Sequence, residues 1–309
     1  MINEIKFKDQ EEWLQIRSNY IGGSDAGAVV GMNPYKSAYS LWAEKTGRVP
    51  GFEGNLTTKV GSYLEDLVAH LFEEETGKKV RRKNRTMVND KYPFACANID
   101  RAVVGEKALL EIKTTTSIPI MRQLKSSEFP DAYYCQVVHY LAVTGLEKAY
   151  LAVLVNCREL KIYELERDQE EIDALMAAEE TFWGYVQSNT EPPVDGHQAT
   201  SDTIGKIYPD SDGIAVDLSG FELHLKSYMS IKQQIKDLKE LEDKEANAIK
   251  VFMQASEKGE SNGYKVSYKT QERKTFDSKK YLRDHGSNAL DGYYKVSKSR
   301  PFKVTEKAV

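Results

Sequence analysis

The sequence predicts an α/β domain followed by an extension of a different kind. Over the first 190 residues, segments with apolar residues at intervals of three and four alternate with short apolar runs bounded by turn residues. This alternation, without a long linker, is typical of a single α/β domain. Because Glu191-Pro192-Pro193 breaks the pattern, we place the two domains at residues 1–193 and 194–309.

Helical patterns dominate the first 80 residues. The expected helices cover residues 9–16, a short stretch from Ser24 or Asp25 to Val30, residues 40–46, and residues 58–76. Asp9 is suited to cap the first of these helices, and Gly77 is suited to end the last.

Strand patterns follow and then mix with helices. Strands are expected at 79–82, 85–88, 95–104 and 108–114, and the last two form a hairpin around the turn at 105–107. A helix at 131–143, a second hairpin of strands 148–155 and 159–166, and a helix at 169–187 complete the domain.

The C-terminal extension has two parts. Between residues 218 and 256 the apolar positions recur at a spacing near 3.5, which predicts either one long helix or an antiparallel helical pair. The tail then alternates basic residues with aromatic ones. We favour a small β-rich subdomain whose aromatics form its own core, and the alternative is a surface that stacks on DNA bases.

Composition and charge exclude several classes of protein. The 40% hydrophobic and 29% charged residues fit a globular chain, and no apolar run approaches the roughly 18 residues that span a bilayer. Residues 1–6 lack the order of a signal peptide, so we expect a cytoplasmic protein. Cys96, Cys135 and Cys157 have no C-x-x-C spacing, which favours buried reduced thiols over disulfides or a zinc site.

The net charge of −4 hides an asymmetry along the chain. Residues 261–309 contain 12 Lys and Arg against 5 Asp and Glu, a local charge of +7, which leaves −11 for the first 260 residues. Any contact with DNA must therefore be made by local basic patches.

Two acidic residues and a lysine meet in the first predicted hairpin. Asp100 and Glu111 are expected on its neighbouring strands, and Lys113 shares a strand face with Glu111 because side chains alternate. Paired carboxylates repel unless a cation lies between them, and hard divalent cations prefer oxygen ligands. The backbone carbonyl of Ile112 and the helix residue Glu65 are further candidate ligands. Such a group is suited to metal-assisted phosphodiester hydrolysis.

The alternative for Glu111 and Lys113 is a salt bridge on an exposed strand, which is the commoner origin of an isolated E-x-K. Here the flanking residues Leu109, Leu110 and Ile112 are apolar. Charged groups on otherwise buried strands are costly, and this favours a functional site.

The helix at 131–143 offers two competing pairs at a spacing of four. Gln136 and Tyr140 share one face and could address the acidic site, with Gln136 orienting a water or a phosphate oxygen. Cys135 and His139 share another face and suggest a thiol nucleophile with its base. We favour the first pair and interpret the second as a core thiol and a hydrogen-bonded histidine.

A glycine pair near the N-terminus suggests an anion site. Gly22 and Gly23 precede Ser24 at a helix start, where backbone N–H groups can bind a phosphate, and Arg17 can add a bidentate contact. The alternative is a tight turn with Ser24 as an ordinary helix cap. A nucleotide-binding P-loop is excluded because its Gly-Lys-Ser/Thr ending is missing.

In order, these motifs resemble those of the YqaJ-type viral recombinases, which are relatives of lambda exonuclease within the PD-(D/E)XK (RecB-like) nuclease superfamily. The match runs over about residues 11–190 through W-L-x-x-R, I-G-G-S-D, G-x-N-P-Y, the helix glutamate, N-x-D, E-I-K and Q-x-x-x-Y. The resemblance implies a restriction-endonuclease-like core, with a central mixed sheet flanked by helices. Two departures are Ile99 in place of the proline before Asp100, and Arg101 where a glycine is often found. Strand alternation predicts that Arg101 points away from the site.

The same resemblance implies an activity and its residues. It implies a Mg²⁺-dependent exonuclease, in which Mn²⁺ substitutes, that degrades one strand of linear duplex DNA from a 5′ end. The residues implied as catalytic are Glu65, Asp100, Glu111, Lys113 and Gln136, of which the first three, with the Ile112 carbonyl, bind metal. Those implied to contact DNA phosphate are Arg17, Ser24 and Tyr140.

The resemblance also implies partners and a source. The exposed 3′ overhang would pass to a single-strand annealing protein of the RecT or Bet type, and a trimer is expected by analogy. The chain would be encoded by a phage or prophage and act in a bacterial host. Alternatives are a structure-specific endonuclease of the same superfamily and a non-catalytic module that binds DNA ends or a partner.

Overall fold

The computed structural model describes residues 1–125 and 129–305, which belong to two compact units, Met1–Tyr208 and a second that begins at Pro209. The strands of the first unit are β1 (Ile2–Ile5), β2 (Ile21–Gly22), β3 (Val80–Arg82), β4 (Thr86–Asn89), β5 (Tyr92–Ala97), β6 (Arg101–Val103), β7 (Ala108–Thr115), β8 (Lys148–Val155) and β9 (Glu159–Glu166). Its helices are α1 (Gln10–Ser18), α2 (Gly23–Val29), α3 (Ala38–Lys45), α4 (Leu56–Thr76), α5 (Ile118–Lys125), α6 (Asp131–Thr144), α7 (Gln169–Ser188) and α8 (Gln198–Ile207).

A five-stranded mixed sheet forms the centre of the first unit. Its order is β3-β6-β7-β8-β9, with β7 and β8 parallel and the other neighbours antiparallel. One face packs against α4, where Phe72 meets Leu110 and Tyr150. The other face packs against α5, and Leu109 on this face belongs to the main core together with α6. The expected arrangement of a mixed sheet between helices is confirmed.

A second sheet has the order β1-β4-β5-β2. The sequence predicted β5 and β6 as one strand, but β5 belongs to this second sheet and β6 to the five-stranded sheet. Residues 95–104 are interrupted after Ala97, and β6 begins only at Arg101 in the five-stranded sheet. The prediction failed because polar side chains replace the backbone ladder at the break. Asn98 donates to Thr86 Oγ1 over 2.9 Å, and Asp100 Oδ2 accepts from the Ile112 N–H over 2.7 Å.

Most other predicted elements are present with shifted ends. Asp9 caps α1 by accepting from the Glu12 N–H over 2.9 Å, as expected. Gly77 ends α4 in the left-handed region at φ +70°, a conformation that favours glycine. The sequence analysis missed the short strands β1 and β2 and the helices α5 and α8, although these helices are about as long as the predicted helices α1 and α3.

The first unit continues beyond the predicted boundary at residue 193. Helix α8 packs against α3, and the buried Thr200 hydroxyl donates to Ser37 Oγ over 2.7 Å. Ser37 also caps α3, so α8 completes the hydrogen bonding of a helix start within the first unit. The prolines at 192–193 follow the end of α7, but the chain after them still packs against the first unit through α8.

The second unit contains α9 (Glu222–Met253), a hairpin of β10 (Lys258–Ser261) and β11 (Tyr264–Ser267), and α10 (Ser278–His285). Of the two arrangements that the 3.5 spacing allowed, the structure has the single long helix. The expectation that the tail aromatics form their own core is wrong. Tyr264, Tyr293 and Phe302 are 77%, 84% and 76% exposed, since the short hairpin offers little surface to cover them.

Two further sequence expectations concern the cysteines and membranes. Cys96 and Cys135 are buried free thiols, as expected, whereas Cys157 is exposed at the β8–β9 turn, which corrects the prediction for that residue. No helix within the described ranges is long and apolar enough to cross a bilayer.

Candidate active site

Glu111 lies at the centre of the candidate site. It is only 2% exposed on the face of β7 that α6 covers. Its Oε1 accepts hydrogen bonds from Lys113 Nζ and from Gln136 Nε2, both over 2.6 Å. Its Oε2 has no hydrogen-bond partner among the described residues. A buried carboxylate oxygen without a partner is costly, which points to a missing ligand.

Asp100 lies beside Glu111 at the break between β5 and β6. Burial, followed by the charges of Glu111 and Glu65, raises the pKa of Asp100 well above its usual value, although Lys113 and the Ile112 N–H oppose the shift. Two carboxylates held this close repel each other in the absence of a cation. The sequence prediction that the hairpin brings Asp100 and Glu111 together agrees with this geometry.

Lys113 carries the positive charge of the site. Burial alone would lower the pKa of Lys113, but Glu111 and Asp100 outweigh it and raise the pKa above its usual value. The ammonium also lies 5.5 Å from the centre of the Tyr133 ring, a cation–π distance. Lys113 is therefore held as a cation beside both acids.

Helix α6 brings Gln136 and Tyr140 to the site on the same face. Gln136 Nε2 donates to the Tyr140 hydroxyl over 3.0 Å as well as to Glu111. Burial, then the charges of Glu111 and Asp100, raises the pKa of Tyr140 well above its usual value, so its hydroxyl keeps its proton. The pairing of Gln136 with Tyr140 agrees with the favoured interpretation of this helix.

The competing Cys135–His139 pair has structural partners instead. His139 Nε2 donates to the Cys96 carbonyl over 2.9 Å, and its Nδ1 lies 2.8 Å from Glu179 Oε1 on α7. Cys135 Sγ contacts Met32 Sδ at 3.9 Å. Burial raises the pKa of Cys135 to about 11, which disfavours a thiolate nucleophile.

The two glycines are closely packed, and at Gly23 the packing leaves no room for a side chain. A Cβ on Gly23 would lie 2.4 Å from Tyr140 Cε1, and a Cβ on Gly22 would lie 3.1 Å from Arg17 Nε. The backbone at the start of α2 thus lies directly against both side chains. At Gly23 only glycine permits this approach, which joins the start of α2 to the face of α6 that carries Tyr140.

Arg17 hydrogen-bonds Ser24 Oγ, so Ser24 does not cap α2 as one alternative had it. The helix begins at Gly23, and Asp25 Oδ2 accepts from the Gly22 N–H over 3.2 Å. An arginine and a hydroxyl that already share a hydrogen bond present several donors to a phosphate.

The buried Asp25 supports this corner. Lys45 Nζ lies 3.2 Å from its Oδ2 and donates to the Tyr20 carbonyl over 2.6 Å. Burial alone would raise the pKa of Asp25, but the charges of Lys45, Arg17 and Lys36 lower it to about 2. Sequence reasoning missed Lys45, because a lysine in the last turn of a helix looks like an ordinary surface residue.

Glu65 occupies the edge of the site, bound to a residue that the sequence placed elsewhere. Arg101 is 4% exposed, and its guanidinium pairs with Glu65 and, over 2.7 Å, with Asp66 on α4. The guanidinium also donates to the Asp100 carbonyl over 2.6 Å. The prediction that Arg101 points away from the site is therefore wrong, because its guanidinium binds Glu65, one of the proposed metal ligands.

The residues present fit a divalent cation in part. Asp100 and Glu111 supply two close carboxylates, one with a buried unpartnered oxygen. No group of three or more His, Cys, Asp or Glu side chains in the described part of the chain is arranged as a complete metal site. The third acid, Glu65, is paired with Arg101, so the side-chain ligands number two in this conformation.

Comparison with known proteins assigns the family. A family model described as "YqaJ-like viral recombinase domain" matches residues 12–147. The uncharacterized protein YqaJ of Bacillus subtilis (strain 168) is 39% identical over 303 residues, which cover 96% of this chain and 94% of that protein. This chain belongs to the YqaJ family. The resemblance inferred from the ordered motifs is confirmed.

Solved structures show how the YqaJ domain folds. An alkaline exonuclease (LHK-Exo) from Laribacter hongkongensis superposes with a TM-score of 0.51 at 20% identity, over 58% of this chain and 94% of that one. The structure of LHK-Exo in complex with dAMP gives a TM-score of 0.51 at 19% identity, over the same shares. The YqaJ domain therefore has the restriction-endonuclease-like (PD-(D/E)XK) fold that the sequence predicted.

Proposed function

We propose that this YqaJ family member is a Mg²⁺-dependent deoxyribonuclease, with Mn²⁺ as a substitute, that acts on linear duplex DNA from a 5′ end. The observation that carries the proposal is the unpartnered Oε2 of buried Glu111 beside Asp100 and Lys113. Family membership and the nuclease fold support it. The 5′ direction and the 3′ overhang are carried by the resemblance alone.

Asp100, Glu111 and the Ile112 carbonyl are the groups that would hold Mg²⁺. The Ile112 N–H points to Asp100, and the N–H and C=O of one strand residue point to the same edge. Glu65 would join them while sharing its carboxylate with Arg101. When bound, the ion would polarise the scissile phosphate and favour hydroxide over water.

The chain's own side chains divide the remaining work. Lys113 places a positive charge where the attacked phosphate gains negative charge, and its ammonium can orient the attacking water by donating a hydrogen bond to it. Gln136 fixes the rotamer of Glu111 through the 2.6 Å hydrogen bond. Arg17 and Ser24, with Tyr140 beside them, offer donors to a terminal DNA phosphate.

The test compares linear duplexes with and without a 5′ phosphate, and a closed circle, in Mg²⁺ and in EDTA. We expect digestion of the linear duplex in Mg²⁺ only, faster with the 5′ phosphate, and no cut in the circle. Cleavage of the circle would instead indicate an endonuclease. Binding of ends without any cleavage in Mg²⁺ or Mn²⁺ would contradict the proposal and favour a non-catalytic module.

We also propose that the chain works with a single-strand annealing protein and as a homo-oligomer, a trimer by analogy. The family description as a viral recombinase supports a recombination partner. Light scattering of the purified chain measures the oligomer, and co-elution with an annealing protein of the RecT or Bet type measures the partner. A monomer that never co-elutes would contradict both.

A further inference from the structure

The C-terminal tail, residues 261–305 of the described chain, differs from the rest of the molecule in charge. Residues 261–309 carry a charge of +7, whereas the first 260 carry −11. An acidic body repels nucleic acid, whereas this basic segment is a local source of attraction for it.

The tail also exposes its large aromatic side chains. Tyr264, Phe276, Tyr293, Tyr294 and Phe302 are between 67% and 84% exposed. Isolated exposed apolar side chains are common, but five in one short segment mark an interaction surface. Phe302 touches Tyr228 of α9 at 5.5 Å between ring centres and still remains mostly exposed.

Several basic side chains of the tail have no acidic partner in the described ranges. The ion pairs of the tail join Lys265 to Glu260 at 3.6 Å, Arg283 to Asp284 at 3.6 Å and Lys298 to Asp210 at 2.8 Å. Lys269 and Lys274 are exposed, and no carboxylate of residues 1–125 or 129–305 lies within ion-pair distance of either. Their charge is available to a ligand.

Aromatic and basic residues are also adjacent in sequence. Four times in the tail an aromatic residue is followed directly by lysine, at Tyr264-Lys265, Tyr268-Lys269, Tyr294-Lys295 and Phe302-Lys303. Such a pair can offer a ring to a base and an ammonium to the neighbouring phosphate.

We propose that the tail binds single-stranded DNA. Unpaired bases can stack on exposed rings, whereas the bases of a duplex are already stacked on one another. Duplex DNA would use the lysines but not the five exposed aromatic rings. The inference rests on the proposed function only for the source of the strand, which would be the overhang left by digestion.

The test measures the affinity of the full chain for a fluorescein-labelled 20-nucleotide oligo(dT) in EDTA, where no cleavage occurs. The double variant Tyr264→Leu, Tyr268→Leu is expected to bind at least about tenfold more weakly, because stacking is lost at two bases. The matched variant Tyr264→Phe, Tyr268→Phe keeps both rings and is expected to stay within about twofold. Equal affinity of the leucine and phenylalanine variants would overturn the proposal.

The charge contribution is measured by salt dependence. Lys269→Gln with Lys274→Gln is expected to reduce the slope of log affinity against log salt by about 1.4, since each phosphate contact contributes about 0.7. The control, Lys236→Gln with Lys244→Gln on α9, removes the same charge from an exposed part of the helix that has no aromatic residue within four positions of either lysine. An equal reduction in the control would mean that net charge alone acts, and would overturn the assignment to the tail.

The oligo(dT) binding test and the cleavage test of the proposed function can fail independently of each other. Circular dichroism and melting temperature show whether each variant is folded. A chain that cleaves no DNA but binds oligo(dT) through the tail would contradict the proposed function and support this inference. A nuclease whose oligo(dT) affinity is the same in all four variants would do the reverse.

Discussion

The two oxygens of Glu111 are in different environments. Oε1 is fixed by Lys113 and Gln136, while Oε2 is buried without a partner. Fixing one oxygen orients the other, and this is how a side chain can be held ready for a ligand that is not yet bound. Asp100 and Lys113 complete the charge pattern, and each permits a prediction.

Replacing Lys113 by alanine should reduce cleavage of linear duplex DNA by about 10²- to 10³-fold, because a positioned positive charge is lost. A gel assay in Mg²⁺ measures the rate. Lys107→Ala is the matched control, since Lys107 only pairs with exposed Glu147 over 2.6 Å. Comparable activity of the two variants would remove Lys113 from the mechanism.

Replacing Asp100 by asparagine should stabilise the metal-free protein at pH 8. Burial, Glu111 and Glu65 raise the pKa of Asp100 in the folded state, so the fold binds this proton more tightly than the unfolded chain does. The stability due to this group is present below the unfolded pKa and is lost as pH rises through the folded pKa. Melting in EDTA should show a gain in Tm at pH 8 that is absent near pH 4.

The exposed residue Asp291 provides the matched control, because Asp291→Asn removes one charge without relieving a crowded carboxylate. Its Tm should change little at either pH. A Tm loss in Asp100→Asn of equal size at both pH values would show that Asp100 acts only through its hydrogen bond to Ile112.

At the scale of elements, three segments distant in sequence meet at the site. The start of α2 lies against α6 through Gly23 and Tyr140, and α6 reaches β7 through Gln136 and Glu111. The close contact between Gly23 and Tyr140 fixes the distance between the candidate phosphate-binding residues, Arg17 and Ser24, and the carboxylates. The Tyr140 ring therefore lies between the phosphate-binding part of the site and its carboxylates.

Replacing Gly23 by alanine should destabilise the protein by about 1–3 kcal/mol, because the new Cβ would lie 2.4 Å from Tyr140 Cε1. Gly184→Ala in α7 is the control, since its Cβ meets nothing within 4 Å and should stabilise the helix by up to about 1 kcal/mol. Urea denaturation measures both. Equal and small effects would contradict the packing of Tyr140 on Gly23.

For the whole molecule, we expect the stability of an isolated first unit to depend on whether the chain is cut after Tyr208, where this unit ends, or at the prolines at 192–193. A chain ended after Tyr208 should melt as one cooperative unit, while a chain ended after 193 should melt at a lower temperature. The shorter chain lacks α8, so Ser37 loses the Thr200 hydroxyl and the surface of α3 is uncovered. Calorimetry of the two fragments measures the difference, and equal Tm values would contradict it.

The sequence was sufficient where spacing determines geometry. The alternation in β7 put Glu111 and Lys113 on one face, and the four-residue interval in α6 put Gln136 beside Tyr140. The sequence was insufficient where contacts between distant segments determine where an element ends or which residue a side chain binds. The end of β5 depends on hydrogen bonds from Asn98 and Asp100 to distant segments, and the partner of Glu65 is an arginine brought by another strand. The exposed tail aromatics could not be told from core residues by composition.

The hydrogen bond from the Ile112 N–H to Asp100 has a practical consequence for the choice of an inactive form. Asp100 is the last residue before β6, and its carboxylate accepts from the middle of β7, so alanine there would remove a hydrogen bond between the two segments as well as a charge. Asparagine retains an oxygen acceptor at nearly the same place. Asp100→Asn is thus the variant of choice for trapping an uncut DNA complex for crystallography.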